Sequence, residues 1–479
     1  MLTRLEAKHF KNLIDFSVDF GAFTCLAGPN AVGKSNVFDA IYFLSLLADH
    51  TLMDAALTVR GGDKETTDLQ DLFWTDGRDR APAFSLAAEM IVDEQVTDEF
   101  GRPARATSTF LRYEIEIGYE PPGPNGVLGR LVLRAERLEY LTQGKAATRL
   151  RFPHSAHDFR RHAILNKRRT AEGFISTEMA QDGKTEIHIH QDGGSRGQPQ
   201  KAPAATAPRT IVATSNTSAT PTILAARREM QKWQMLALEP SSMRSADRFH
   251  SDPHVTAGGD HLAATLYRLA TIAEKEGGSA QQVYARIAGR LSEFVPVRDV
   301  SVVRDDVRQL ITLEVRERSG VRLPARSLSD GTLRFLTLII LGEDPEADGL
   351  ICMEEPENGI HPAKMPAMVD LLKGLVVDVN SRPSKRNPMR QIIVATHSPL
   401  FVQLLSKDDL LFATAATVQS AATTPTAALR LRPLERTWRS SSADPGVGLG
   451  TVLVYLTTPP GAQIRLDDIA PTFSVARAR

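Results

Sequence analysis

Four short stretches hold residues whose types and spacing suit chemistry. The first is Gly28-Pro29-Asn30-Ala31-Val32-Gly33-Lys34-Ser35, which spells G-x-x-x-x-G-K-S. Glycines let a backbone wrap an anion with successive N–H groups pointing inward, and a helix opening at the lysine adds its positive end. Lys34 then reaches β/γ-phosphates and the Ser35 hydroxyl ligates Mg²⁺. Gly28, Asn30, Gly33, Lys34, Ser35 and Asn36 are the candidate nucleotide ligands. The second stretch is Glu354-Glu355-Pro356-Glu357, behind the apolar residues 350–353. A carboxylate at the tip of a buried strand can hold magnesium, and its neighbour can orient or deprotonate an attacking water. Glu354 is assigned to the metal and Glu355 to the water. The third is Thr396-His397-Ser398-Pro399, where His397 is placed to touch a γ-phosphate or that water. The fourth is Ser327-Leu328-Ser329-Asp330-Gly331-Thr332, ahead of an apolar helix. Ser329 and Gly331 there read by themselves as a plain helix N-cap and, beside the phosphate loop, as a second anion site. Two anion sites in one chain suggest a sandwich in which each subunit covers the other's nucleotide.

These residues need elements to hold them. The apolar residues 23–27 end at Gly28, and from Ser35 the pattern turns helical, with Val37, Ile41, Leu44 and Leu47 on one face. Residues 350–353 and 391–395 read as short buried strands and residues 333–341 as an apolar helix. Further helices are expected at 223–231, 262–273, 280–294 and 363–377, and strands at 300–303 and 310–315. Residues 2–26 read as strands. Residues 109–119, 129–141 and 148–152 alternate like antiparallel strands, and 185–190 forms another. Residues 191–221 are poor in large apolar side chains and rich in Gly, Pro, Ala, Ser and Thr, so they read as a mobile loop. After Leu405 the pattern is poor, with a low-complexity stretch at 413–428.

Composition narrows the classes. The chain has 479 residues, 57 Lys plus Arg against 57 Asp plus Glu, and a formal net charge of zero. A uniformly basic coat is excluded, so nucleic acid would have to be met by a local patch. The basic stretches at 159–169 and 381–390 read as solvated faces ahead of phosphate tracks. Two cysteines, Cys25 and Cys352, exclude a disulfide scaffold and zinc fingers. His154, His157, His162, His188 and His190 lack the spacing and companion ligands of a metal site. No apolar run nears the ~20 residues of a membrane span, and the first residues lack a signal peptide's apolar stretch. A cytoplasmic protein with no membrane partner is expected.

Taken in chain order, the phosphate loop, Ser-rich signature, paired carboxylates and histidine resemble the ABC-class heads of AAA-family ATPases, and more narrowly their RecF/SMC/OLD-like branch. The opening L-x-x-x-x-F-K-N-L from Leu5 to Leu13 is similar to the branch's N-terminal strand pair. E-E-P-E-N-G-I-H-P stands where transporters have D-E-P-x-x-x-L-D, and A-T-H-S-P is the branch's usual histidine wording. Echoes also occur at L-A-L-E-P-S-S-M-R, ending at Arg244, and G-G-D-H-L-A-A-T-L, starting at Gly258. The resemblance spans residues 1–90 and 233–405. It implies an α/β fold: a RecA-like parallel sheet, an antiparallel N-terminal sheet, a helical signature subdomain, and a mixed, partly disordered insertion projecting as a lid or arm. The implied units are an N-terminal lobe at 1–93, a strand-rich insertion with a flexible loop at 94–221, a C-terminal lobe at 222–405 and a tail at 406–479. It further implies Mg²⁺-dependent ATP hydrolysis and an ATP-dependent homodimer or higher oligomer. In that dimer Ser329 and Gly331 contact the γ-phosphate held by Lys34 of the partner subunit, and Asn358 and His361 cross the seam. Gln70 is the candidate for the family's loop glutamine. A short insertion without heptad arms resembles ATPase subunits of anti-phage defence systems, which control a separate effector protein. The alternatives are a RecF-like repair ATPase that binds DNA, a transporter ATPase and a non-hydrolysing scaffold. Asp408-Asp409 and Asp467-Asp468 lack the spacing of a Toprim nuclease, so no built-in nuclease of that type is expected.

Overall fold

Short apolar runs that end abruptly at polar residues form the centre of the molecule. A six-stranded sheet takes the order Gln234–Met235, Gly349–Glu354, Arg390–Thr396, Phe23–Ala27, Leu410–Val418, Thr426–Pro433. All neighbours are parallel except the last pair. The computed structural model describes residues 1–59, 68–123, 129–167, 172–180, 183–192, 199–418 and 426–457.

The parallel strands are buried on both faces, which is why they read as continuous apolar runs rather than alternating ones. Their side chains still alternate between two cores. Leu26, Leu350, Cys352, Ile393 and Ala395 face one; Cys25, Ile351, Met353, Ile392 and Val394 face the other. The second core is closed by helices Leu262–Lys275, Ala280–Leu291, Asp330–Glu343 and Met365–Leu375. The first holds helix Lys34–Leu46 and a large antiparallel sheet. Val37, Phe38, Ala40, Ile41, Phe43 and Leu44 of that helix are all buried, so it is apolar on most sides and not on one stripe. Phe43 packs edge-on to Phe84 at 5.8 Å, and Phe84 meets Phe10 at 5.2 Å and Phe73 at 4.9 Å, which pins the helix to the sheet.

The antiparallel sheet has eight strands in the order Gln200–Pro203, Thr185–Ile189, Ile175–Met179, Arg130–Tyr140, Phe110–Glu120, Ala83–Ile91, Leu2–Lys8, Phe16–Asp19. Leu111, Tyr113, Ile115 and Ile117 point into the core, while Arg112 on the other face pairs with Glu6 at 2.7 Å. The α/β layout of a parallel sheet, an antiparallel sheet and a helical subdomain agrees with expectation. Four local expectations do not. The middle strands do not project as an arm; Phe110–Glu120 pairs along its length with Ala83–Ile91 and continues the N-terminal sheet. The described part of 191–221 is not loop throughout. It contains strand Gln200–Pro203 and helix Ile211–Thr214, whose first N–H groups donate to the buried Glu136 carboxyl at 2.7 and 3.0 Å. Residues 148–152 do not form a strand: helix Gln143–Arg149, whose first turn is capped by Thr142, ends within that stretch, and residues 150–152 belong to neither helix nor strand. The described part of the low-complexity 413–428 segment is also strand, belonging to Leu410–Val418 and Thr426–Pro433. Small Ala and Thr side chains carry little periodic signal there.

Among the described residues no helix is long and apolar enough to cross a membrane.

Candidate functional site

Strand register brings the chemistry to one edge. Thr396 lies opposite Ala27, and Glu354 opposite Ala395. The phosphate loop, the carboxylates and the Thr-His turn therefore all leave the carboxyl ends of adjacent parallel strands, where α/β sheets bind ligands.

The loop is built tightly. Gly28 N donates to Thr396 O at 3.1 Å, and a Cβ on Gly28 would sit 2.7 Å from Ala413 O. Gly28 is thus needed at the root of the loop for a close backbone approach. Gly33 caps helix Lys34–Leu46 at φ 104, a conformation L-residues avoid. Lys34 Nζ donates to the carbonyls of Gly28 and Pro29, both at 2.7 Å. Burial lowers the Lys34 pKa, while the charges of Glu355 and Glu354 act the other way. Asn30, Gly33, Lys34, Ser35 and Asn36 line a cleft of about 340 Å³ together with Glu354 and Glu355.

Ser35 and Glu354 suit magnesium. Both line this cleft, both offer hard oxygen donors, and neither side chain is engaged in a hydrogen bond or ion pair among the described residues. The described residues hold no group of three His, Cys, Asp or Glu that would form a complete protein cage. Mg²⁺ takes one or two protein oxygens and completes its shell with phosphate and water, so this sparse donor set fits it.

Glu355 is held from two sides. His397 Nδ1 lies 2.7 Å from Glu355 Oε1, and Asn358 Nδ2 donates to Glu355 Oε2 at 2.7 Å. A carboxylate only accepts, so His397 Nδ1 carries the proton in this pair. Glu355 itself sits at φ 48, with its N–H bound to Ala395 O at 2.8 Å.

Ser329 and Gly331 are not in this cleft. They line a second cavity of about 320 Å³ with Gly359, Ile360, His361 and Lys364. Ser329 caps helix Asp330–Glu343 by accepting from Thr332 N. Arg244 pairs with Asp330 and donates to Leu328 O at 3.2 Å, which fastens the Ser-rich segment from outside. One turn thus feeds both cavities: Glu354 and Glu355 face the first, Gly359 to His361 the second. Gln70 lies in the short helix Leu69–Leu72 and does not line the cleft around Lys34.

The secondary candidates find ordinary partners. Lys167 pairs with Glu94 at 2.8 Å; Arg168 and Arg169 lie outside the described residues, as do Asp467 and Asp468. Arg390, counted in a solvated basic run, is 4% exposed and donates to the carbonyls of Asp344, Ala347 and Leu375. It satisfies orphan carbonyls after two helices, a structural task.

Three contributors escape sequence reasoning: Asn12, whose amide holds Val32 O at 3.0 Å and Asn36 at 2.7 Å, Arg244 and Glu357. Asn12 stands inside the F-K-N-L string, but only the fold shows what it touches.

Residues 244–403 match a family model described as "AAA domain, putative AbiEii toxin, Type IV TA system". Two DNA replication and repair proteins RecF match short stretches. The one from Lactobacillus gasseri is 38% identical over 64 residues, 13% of this chain and 17% of the relative. The one from Pediococcus pentosaceus is 44% identical over 50 residues, 10% of this chain and 13% of the relative. The chain therefore spans less than a fifth of the curated relatives it matches. Among solved structures, an Smc head bound to the C-winged helix domain of ScpA aligns over 91% of this chain and 98% of that one, at 12% identity and TM-score 0.45. The SMC head domain from Thermotoga maritima aligns over 91% and 99%, at 12% identity and TM-score 0.36.

Proposed function

We propose that this chain, an ABC-class AAA-type ATPase head of the RecF/SMC kind, binds and hydrolyses Mg²⁺-ATP and engages a second copy of itself when loaded. The observation that carries the reading is the convergence of Lys34, Ser35, Glu354 and Glu355 on one cleft, with His397 and Asn358 bonded to Glu355. In this reading Gly28, Asn30, Gly33, Lys34 and Asn36 hold the phosphates. Ser35 and Glu354 would hold Mg²⁺, which would supply charge neutralisation for phosphoryl transfer. Glu355, oriented by His397, aligns the attacking water and takes its proton. Catalysis is then mainly positioning and electrostatic stabilisation.

The separation of the two cavities supports the dimer reading. A second copy turned face to face brings Ser329 and Gly331 to the nucleotide that the first copy binds at Lys34, and a two-fold closes the arrangement. The turn shared by both cavities supports coupling between hydrolysis and release.

At the cellular level we read the chain as a cytoplasmic regulatory ATPase of a bacterial anti-phage defence system acting on a separate effector. The toxin named in the matched family's description supports a protein-partnered function of this kind. The second reading is a DNA-binding repair ATPase, favoured by the two RecF matches. Turnover measured at several protein concentrations, with and without double-stranded DNA, tests both. Per-subunit turnover that rises with concentration supports the sandwich; DNA stimulation favours repair. Absence of turnover at every concentration refutes the ATPase reading.

A further inference from the structure

We propose that Glu357 is a positioning residue for the Glu355–His397 pair: through the Thr396 hydroxyl its buried carboxyl sets the turn that presents His397. The inference rests on the ATPase reading above.

Glu357 is 8% exposed, and its Oε1 accepts a hydrogen bond from Thr396 Oγ1. The same hydroxyl oxygen accepts from Ser398 N at 2.8 Å, so it bridges from the residue before His397 to the residue after. Ser398 then caps helix Pro399–Gln403 through Phe401 N at 3.3 Å. Thr396 also ties back to the phosphate loop through Gly28 N. Two links therefore register the carboxylate turn against the end of the Thr-His strand. Glu355 holds His397, and Glu357 holds Thr396, with the buried Pro356 between the two glutamates restricting the turn. Glu355, at φ 48, occupies a left-handed conformation unfavourable for an L-residue, so it depends on such neighbours to stay.

The carboxyl is poorly explained by packing alone. Its Oε2 is buried without a hydrogen-bond partner among the described residues. Burial raises its pKa and the Glu355 charge adds to this, against the Thr396 bond. An apolar side chain of similar size would avoid the cost of an unpartnered buried oxygen. What it would lose is the acceptor for Thr396. A neutral amide supplies that acceptor, so Gln should replace Glu357 and Ala should not.

ATP hydrolysis and ATP binding are measured for the wild type, Glu357→Gln, Glu357→Ala and Thr396→Val. We expect Glu357→Gln to keep kcat within about threefold, while Glu357→Ala and Thr396→Val lose about tenfold to hundredfold in kcat with ATP Kd held within about threefold. The double variant Glu357→Ala/Thr396→Val should be no worse than the poorer single one, because both cut the same link. Wild-type kcat in Glu357→Ala overturns the proposal, as does an equal loss in Glu357→Gln or a loss confined to Kd. Should Glu357→Ala fail to fold, Thr396→Val decides: unchanged kcat overturns it. A wild type that binds ATP without turning it over refutes the ATPase reading and this inference with it. A wild type that turns over, indifferent to these substitutions, overturns this inference alone.

Discussion

Asn36 Nδ2 donates to Asn12 Oδ1 at 2.7 Å, while Asn12 Nδ2 donates to Val32 O at 3.0 Å. One side-chain amide thus uses both of its ends to clamp the phosphate loop and the first turn of its helix. Its backbone carbonyl accepts from Leu429 N at 3.0 Å, so the clamp is itself anchored in the sheet. Asn12→Ala removes both side-chain bonds. Each is worth about 1 kcal/mol, so ATP affinity should fall between about fivefold and thirtyfold. Isothermal titration with ATP reads this directly; unchanged affinity would show that the loop holds its shape without Asn12.

Gly33→Ala adds a Cβ where there is no room for one. That atom would fall 2.2 Å from Asn12 Nδ2, on a backbone at φ +104. The Asn12 side chain can shift, but doing so breaks the clamp, and the φ value stays unfavourable. ATP affinity should drop by more than about tenfold. Combining Gly33→Ala with Asn12→Ala should add little further loss, since the first already displaces the second's amide. Full additivity in titration would contradict this.

Glu355→Gln keeps the size of the side chain and removes its ability to take a proton. Turnover should fall by about a hundredfold to ten-thousandfold with ATP still bound. The ATP-loaded variant should accumulate as a dimer in light scattering. An ATP-loaded variant that stays monomeric would sink the sandwich.

Glu136 predicts a pH dependence of stability. It is fully buried, and burial raises its carboxyl pKa from 4.5 to about 7, against the hydrogen bonds from Ile211 and Val212 N–H. The folded state keeps the proton that the unfolded chain releases. The stabilisation is therefore complete below the unfolded pKa and is lost as pH rises through the folded one. From about pH 4.5 to about pH 7 the contribution falls by an amount of order 3 kcal/mol. Melting curves of the wild type and Glu136→Gln across that window should differ in slope, the variant being flatter because an amide does not titrate. Parallel curves would place the titration elsewhere.

The phosphate loop, the paired carboxylates, the Thr-His turn and the Ser-rich helix start were all legible as strings. Each needs particular residue types at fixed local spacing, and each sits where an apolar run stops. Neighbouring pairs in the chain could be read from chemistry alone: hydroxyl next to lysine, carboxylate next to carboxylate. The helices over 262–273 and 280–294 were legible too, since each carries a 3.6-residue stripe facing one core.

Contacts between distant segments were not legible. Asn12 meets Asn36 across 24 residues, and Glu357 meets Thr396 across 39; no local period encodes either. The Ala- and Thr-rich strand Leu410–Val418 gave no sign of its place beside the phosphate-loop strand, yet it must be small there because Gly28 approaches Ala413 so closely. Likewise Gln200–Pro203 and Ile211–Thr214 look like loop until the sheet edge and the Glu136 carboxyl supply their hydrogen bonds.

Residue identity and short-range spacing state which groups are available for phosphate, metal and water, because those demands act over a few bonds. Which of these groups share a cleft was settled by strand order: Arg390–Thr396 lies between the carboxylate strand and the phosphate-loop strand and joins them. The same packing put Ser329 and Gly331 in a different cavity from Lys34. Hydrogen-bond register and burial, which act between segments far apart in the chain, made those choices.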